Sequence, residues 1–164
     1  MSELHDILGA LTRTGAHFVV VGGIAMRLHG STYVTEDIDL VYERTRPNAE
    51  KVVEALRRFK PRPREFPPDL PFRFDVQALL VTEILTLETT AGDLDLLASL
   101  KGVGNYAAVE ATSEPFTYED LTFRVLSIDG LIAAKTASGR PKDKAGLLEL
   151  RALKEAAQNR RGAS

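Results

Sequence analysis

The apolar run Val19-Val20-Val21 ends in Gly22-Gly23, and Asp37-Ile38-Asp39 begins fourteen residues after the second glycine. No other feature of this chain constrains its fold as strongly. Residues 17–21 read as a short buried strand. The two glycines at its end admit backbone geometries closed to other residues and let a ligand approach the main chain. Residues 24–29 then read as a short helix stopped by Gly30. A helix that starts at a glycine turn presents free N–H groups and the positive end of its dipole, which suits a phosphate. In a strand over 38–42, alternation sends Asp37 and Asp39 to one side while Ile38 and Leu40 face the core. Two carboxylates so close repel, and one is pushed towards protonation. A divalent cation removes the conflict, and hard oxygen ligands suit Mg²⁺ or Mn²⁺. A strand that merely carried two solvated acids would not explain the diglycine upstream.

The G-G turn followed by T-x-D-I-D-L (Thr35 to Leu40) resembles the signature of the nucleotidyltransferase fold superfamily. That superfamily includes polymerase-β-like enzymes, antibiotic nucleotidyltransferases and toxins of AbiEii type, and the variant here most resembles its small stand-alone bacterial members. Residues 86–97 (TLETTAGDLDLL) resemble the hairpin bearing the family's third carboxylate, and residues 125–150 resemble the C-terminal segment of the same small proteins. The resemblance covers about three quarters of the chain. It implies an α+β nucleotidyltransferase fold, a short mixed β-sheet flanked by helices. It also implies Mg²⁺- or Mn²⁺-dependent transfer of an NMP from an NTP, ATP among the candidates, to a hydroxyl acceptor. Asp37, Asp39 and Asp95 are the implied catalytic and metal-binding residues. Gly22, Gly23, Lys135 and Arg140 are the implied nucleotide contacts, with Lys142 beside them. The implied acceptor is tRNA or a protein in a toxin–antitoxin setting with a cognate partner protein, and an antibiotic comes second. A different class of function is a catalytically silent nucleotide-binding or antitoxin-partner module, for which paired carboxylates have little use. A Rossmann turn would need G-x-G-x-x-G and an acid about 20 residues on, and neither is present in proper form.

Asp93 and Asp95 alternate with Leu94 and Leu96, so both carboxylates share a face. The family pattern selects Asp95, three residues after the hairpin glycine, where a third carboxylate completes a metal site and can take a proton from an attacking hydroxyl. Asp75 is a lesser rival. Lys135, Arg140 and Lys142 cluster around a helix end, where cations also answer the dipole alone. His5, His17 and His29 show no metal-ligand spacing and read as structural or surface residues, and Ser31 lacks the partners of an acyl-transfer triad. Three positions depart from the family. Gly23 stands where many members carry serine, so a serine there is expected to be tolerated. Tyr33 stands where small toxin-like members carry arginine, and Gly146 replaces the second acid of a K-D-x-x-D ending.

The remaining elements follow from pattern. Leu4, Ile7, Leu8 and Leu11 recur at helical spacing, with Gly15 closing that helix. Pro47 opens a second amphipathic helix with Val52, Val53 and Leu56 inward. Residues 60–71 hold five prolines and read as irregular. Strands are expected over 72–76 and 84–89, with a turn at Ala91-Gly92 into 93–97, and a last strand over 123–126. Ser127 is the expected N-cap of a helix over 128–138 closed by Gly139, and a charged helix follows from about 142 to 158. At 164 residues with 44% apolar and 27% charged residues, the chain fits one domain over 1–158 with a loose tail at 159–164. The absence of cysteine excludes disulfides and thiolate metal sites. No membrane span or signal peptide is legible, so a cytoplasmic location without a membrane partner is expected. The net charge of −2 excludes a global basic field for nucleic acid.

Overall fold

A computed structural model describes residues 3–162. Helix α1 (Glu3–Arg13) leads to strand β1 (Phe18–Val21), helix α2 (Gly22–Leu28) and strand β2 (Ile38–Tyr42). Helix α3 (Arg46–Leu56) follows, then strand β3 (Arg62–Pro63), helix α4 (Val76–Val81) and the hairpin of β4 (Ile84–Thr89) and β5 (Gly92–Leu97). The short strands β6 (Ser99–Leu100) and β7 (Gly104–Asn105) form a ribbon of their own before helix α5 (Tyr106–Ala111). Strands β8 (Ser113–Tyr118) and β9 (Leu121–Leu126) and helices α6 (Ile128–Ser138) and α7 (Asp143–Gly162) complete the chain.

Seven strands form one mixed sheet in the order β3-β4-β5-β2-β1-β9-β8. The middle strands are the most apolar in sequence. All four residues of β1 are buried, and β2 is buried except at Asp39. Such strands require cover on both faces, which the helices supply. Strand β2 runs antiparallel to β1 and parallel to β5, so the end of β1, the start of β2 and the middle of β5 lie side by side. Two polar ties fix that geometry. Buried Asn48 accepts from the His17 N–H at 2.7 Å and donates to the His17 and Glu43 carbonyls, binding the start of β1 to the end of β2. Tyr42 Oη donates to the Leu79 carbonyl at 2.6 Å and pins α4 beneath the sheet strand that carries Asp39.

Strands over 38–42 and 84–89 and the Ser127-capped, Gly139-closed helix form where the sequence places them. The expected strand over 72–76 does not form. Asp75 is instead the N-cap of α4, accepting from the Ala78 N–H at 3.0 Å, which ends its candidacy as a site acid. Helix α2 begins at Gly22, two residues earlier than the pattern suggests. Helix α5 and strand β8 have no counterpart in the sequence reading. Strand β8 is half exposed and contains Pro115, which an edge strand tolerates and which makes the segment read as loop. Helix α7 continues to Gly162, four residues into the expected tail, and Ala163 and Ser164 lie outside the described residues. Among the described residues no helix is long and apolar enough to cross a membrane.

Candidate active site

The strand register assembles the site. Asp39 lies opposite Val21 on one side and opposite Asp95 on the other. Asp93 is two residues before Asp95 on the same face, and Asp37 stands just ahead of β2. The Asp39 carboxyl sits in a largely buried position, and its Oδ1 has no hydrogen-bond partner. Burial pushes the Asp39 carboxyl up to about 7 from an ordinary 3.8, with the charge and hydrogen bonding of Asp95 and the charge of Asp37 adding to the rise. Arg64 offsets part of it.

Gly22 makes this closeness workable. Its φ is +67°, a left-handed conformation, and any Cβ there would run into the Asp39 Oδ2 atom. The glycine therefore serves the carboxylate directly, beyond any service to a phosphate. Gly23 is equally confined: a Cβ would stand 2.8 and 2.9 Å from Thr35 Cγ2 and Cβ and 3.0 Å from Tyr33 Cε1. This corrects the expectation that serine would be tolerated at position 23, because the loop carrying Tyr33 and Thr35 fills the space a serine would use.

The structure adds a residue that the sequence did not reveal. Arg64, in the proline-rich segment, donates from Nη2 to Asp95 Oδ1 at 2.6 Å and to the Leu87 carbonyl at 3.1 Å. Its Nε lies 3.5 Å from Asp93 Oδ2. Burial works against its charge, and the Asp95 hydrogen bond with the charges of Asp95, Asp93 and Asp37 more than offsets that. Nothing in P-R-P-R-E marks one arginine over another. Only the pairing of β3 with β4, which the sequence does not show, delivers Arg64 to the acids.

On the other side of Asp39 a cavity of about 200 Å³ opens. Gly22, Asp39, Lys101, Lys135, Arg140 and Asp143 line it, with Leu97, Leu100 and Leu131 as apolar wall. Lys135 and Arg140 thus share a space with the glycine turn and Asp39, whereas exposed Lys142 is not part of the lining. Lys101, carried on the β6–β7 turn, escaped the sequence reading because an isolated lysine in a turn has no pattern. Both cations are held by Asp143, from Lys135 Nζ at 3.1 Å and Arg140 Nε at 3.0 Å. A hydrogen bond from Ser138, with those of Lys135 and Arg140, pulls the Asp143 carboxyl down to about 2.

Of the histidines, His29 bonds the Leu126 carbonyl at 2.8 Å and His17 contacts Glu43 at 3.3 Å. His5 sits 2.6 Å from Asp120 Oδ1, and with Glu119 they bring three ligand atoms within 4.8 Å of one another at the β8–β9 turn. Residues 115 apart in sequence make that grouping, which no spacing motif could announce.

No protein-family model and no curated protein matches this chain. Solved structures do. The chain is similar over 98% of its length to TM1012 of Thermotoga maritima, itself proposed to be a nucleotidyltransferase, with a TM-score of 0.53, 14% identity and 89% of that chain covered. It is similar over the same share to the antibiotic-resistance factor ANT(2'')-Ia, with a TM-score of 0.54, 18% identity and 92% of that chain covered. The mixed sheet with its helices is the nucleotidyltransferase fold, as the sequence resemblance implied.

Proposed function

We propose that this protein is a metal-dependent nucleotidyltransferase that moves an NMP from an NTP to a hydroxyl acceptor. One observation carries the reading. Asp39 and Asp95 stand in register on adjacent parallel strands, beside a glycine that cannot bear a side chain, and Asp39 keeps a buried oxygen without a partner. Buried polar atoms are almost always satisfied, and an orphan carboxylate oxygen among three further acids suits a divalent cation better than it suits a folded strand.

Asp37, Asp39 and Asp95 would hold Mg²⁺ or Mn²⁺, which supplies Lewis-acid neutralisation of charge on the triphosphate and the leaving pyrophosphate. The main chain at Gly22 and Gly23 offers first-turn N–H groups that α2 leaves without intrahelical acceptors. Lys135 and Arg140 supply positive charge in the cavity that Asp39 opens onto, and Asp143 keeps both oriented. Asp95 accepts the proton of the attacking hydroxyl as that oxygen bonds to the α-phosphorus and pyrophosphate leaves.

Resemblance to small toxin-like members favours tRNA or a protein as the acceptor, within a toxin–antitoxin pair. Fold likeness to an antibiotic-resistance factor makes an antibiotic the second reading. A silent binding module would leave the crowding at Asp39 without a purpose. The test is incubation with each labelled NTP, Mg²⁺ or Mn²⁺, and in turn total RNA, cell protein and a panel of hydroxyl-bearing antibiotics. Label should move to one acceptor class and fail to move with Asp39→Asn. Absence of transfer to every acceptor would favour the silent module.

A further inference from the structure

Arg64 reaches the acids through a built route. Its main-chain N–H donates to the Thr86 carbonyl at 2.8 Å, and Thr86 is the register partner of Asp95. The segment behind it is folded on itself. Arg62 donates to the Pro67 and Leu70 carbonyls at 3.0 and 3.1 Å, and Phe66 meets Phe72 edge to face. A guanidinium held at both backbone and side chain, 2.6 Å from one carboxylate and 3.5 Å from a second, is placed there by the fold and does not drift there by chance.

Its chemistry is that of a counter-ion. Asp37, Asp39, Asp93 and Asp95 act on one another's surroundings at this place, and Arg64 is a cation in direct contact with two of them, Asp93 and Asp95. Its Nε is buried without a hydrogen-bond partner, and so is the Asp39 Oδ1 atom. An unpartnered carboxylate oxygen on Asp39, beside a guanidinium already committed to Asp93 and Asp95, leaves Asp39 open to a further cation. A divalent ion bound at Asp39 and Asp95 would stand a few ångströms from the guanidinium, where like charges oppose each other. The ion and Arg64 therefore compete for Asp95.

We propose that Arg64 is the resident counter-ion of this site: it holds Asp95 in the metal-free protein and surrenders it when a divalent cation binds. The inference rests on the reading that Asp37, Asp39 and Asp95 hold such a cation. Arg64 acts as a positioning residue, and its freed guanidinium becomes available to an incoming phosphate, for which its planar fork is suited.

Mn²⁺ titration of the full chain without nucleotide, followed by electron paramagnetic resonance, tests this. Arg64→Met keeps most of the stem and removes the charge, so it should bind Mn²⁺ about tenfold more tightly than wild type, or more. Arg64→Lys keeps the charge and should stay within about threefold of wild type. If Arg64→Met fails to fold, Arg64→Gln carries the same expectation. Unchanged or weaker Mn²⁺ binding in the charge-removed variant overturns the proposal and leaves Arg64 a strut for its loop. Asp39→Asn separates the two levels of the argument. If it abolishes Mn²⁺ binding while Arg64→Met gains nothing, only the Arg64 inference falls. If Mn²⁺ binds equally well without Asp39, or binds to no variant, the metal reading falls with it.

Discussion

Asp39→Asn should make the metal-free protein more stable above pH 7 and leave it unchanged near pH 4. The folded protein holds the Asp39 carboxyl at about 7, against 3.8 ordinarily. A raised carboxyl binds its proton more tightly in the folded state, so the stability it contributes is fully present below 3.8. That stability is lost as pH rises towards 7. Each tenfold step in proton affinity is about 1.4 kcal/mol, so full charging would cost the folded state on the order of 4 kcal/mol. Protein and solvent relax around a charged Asp39, so we expect about half, roughly 2 kcal/mol, to return in the neutral and nearly isosteric asparagine variant. For a chain of this size that is a rise in Tm of about 4–8 °C at pH 8. Thermal melts at pH 5 and pH 8 with chelator present read the difference directly. Added Mn²⁺ should raise the wild-type Tm increasingly across the same window, because it binds the charged form, and should do little for the variant. A difference between variant and wild type that is equal at both pH values would show that Asp39 is an ordinary solvated acid. The argument for a metal at this strand would go with it.

Gly22→Ala should destabilise by about 2 kcal/mol or more, from the positive φ and from collision with Asp39, and should weaken Mn²⁺ binding in the same titration. Asp95→Asn should lower turnover about 10²-fold or more while nucleotide affinity changes little, the mark of a lost general base; Asp93→Asn should do less, and the reverse order would move the third carboxylate to Asp93. Asp143→Asn should cost about 1–2 kcal/mol above pH 4, discounted for the solvent that reaches Lys135 and Arg140, and the cost should vanish as pH falls through about 2, since a depressed carboxyl stabilises only above its unfolded pKa. Chemical denaturation across pH 2–6 measures it.

The parts of the site that the sequence made legible are the local ones. Alternation in D-I-D and the glycines before it depend on residues within one strand and one turn, and so does the Ser127 cap. The hairpin acids were visible as a pair, and β5 next to β2 turned them into neighbours of Asp39. What stayed hidden depends on pairings between distant segments. Arg64 joins Asp95 across 31 residues because a two-residue strand docks on β4, and no periodicity exists over two residues. Lys101 joins the cavity through a ribbon equally short. Residues 72–76 misled for a different reason. Their alternating aromatics fit a strand, but Asp75 satisfies the first N–H groups of α4, and a cap outweighs weak strand propensity.

Gly23, Tyr33 and Gly146 connect physically, because Tyr33 packs over Gly23 and both Tyr33 and Gly146 stand against Lys135. Tyr33 Cε1 lies against the space over Gly23, and Lys135 Nζ stands 5.6 Å from the centre of the Tyr33 ring. A Cβ at Gly146 would meet Lys135 Cε at 3.0 Å, so the glycine leaves a channel for the lysine stem. An acid at 146 would crowd that stem and add a second carboxylate beside a lysine already neutralised by Asp143. An arginine at 33 would bring a second cation to within reach of Lys135, where the aromatic face instead attracts it. Serine at 23 would push the Tyr33 ring away. Together Tyr33 and Gly146 leave one positive charge, Lys135, lining the same cavity as Asp39.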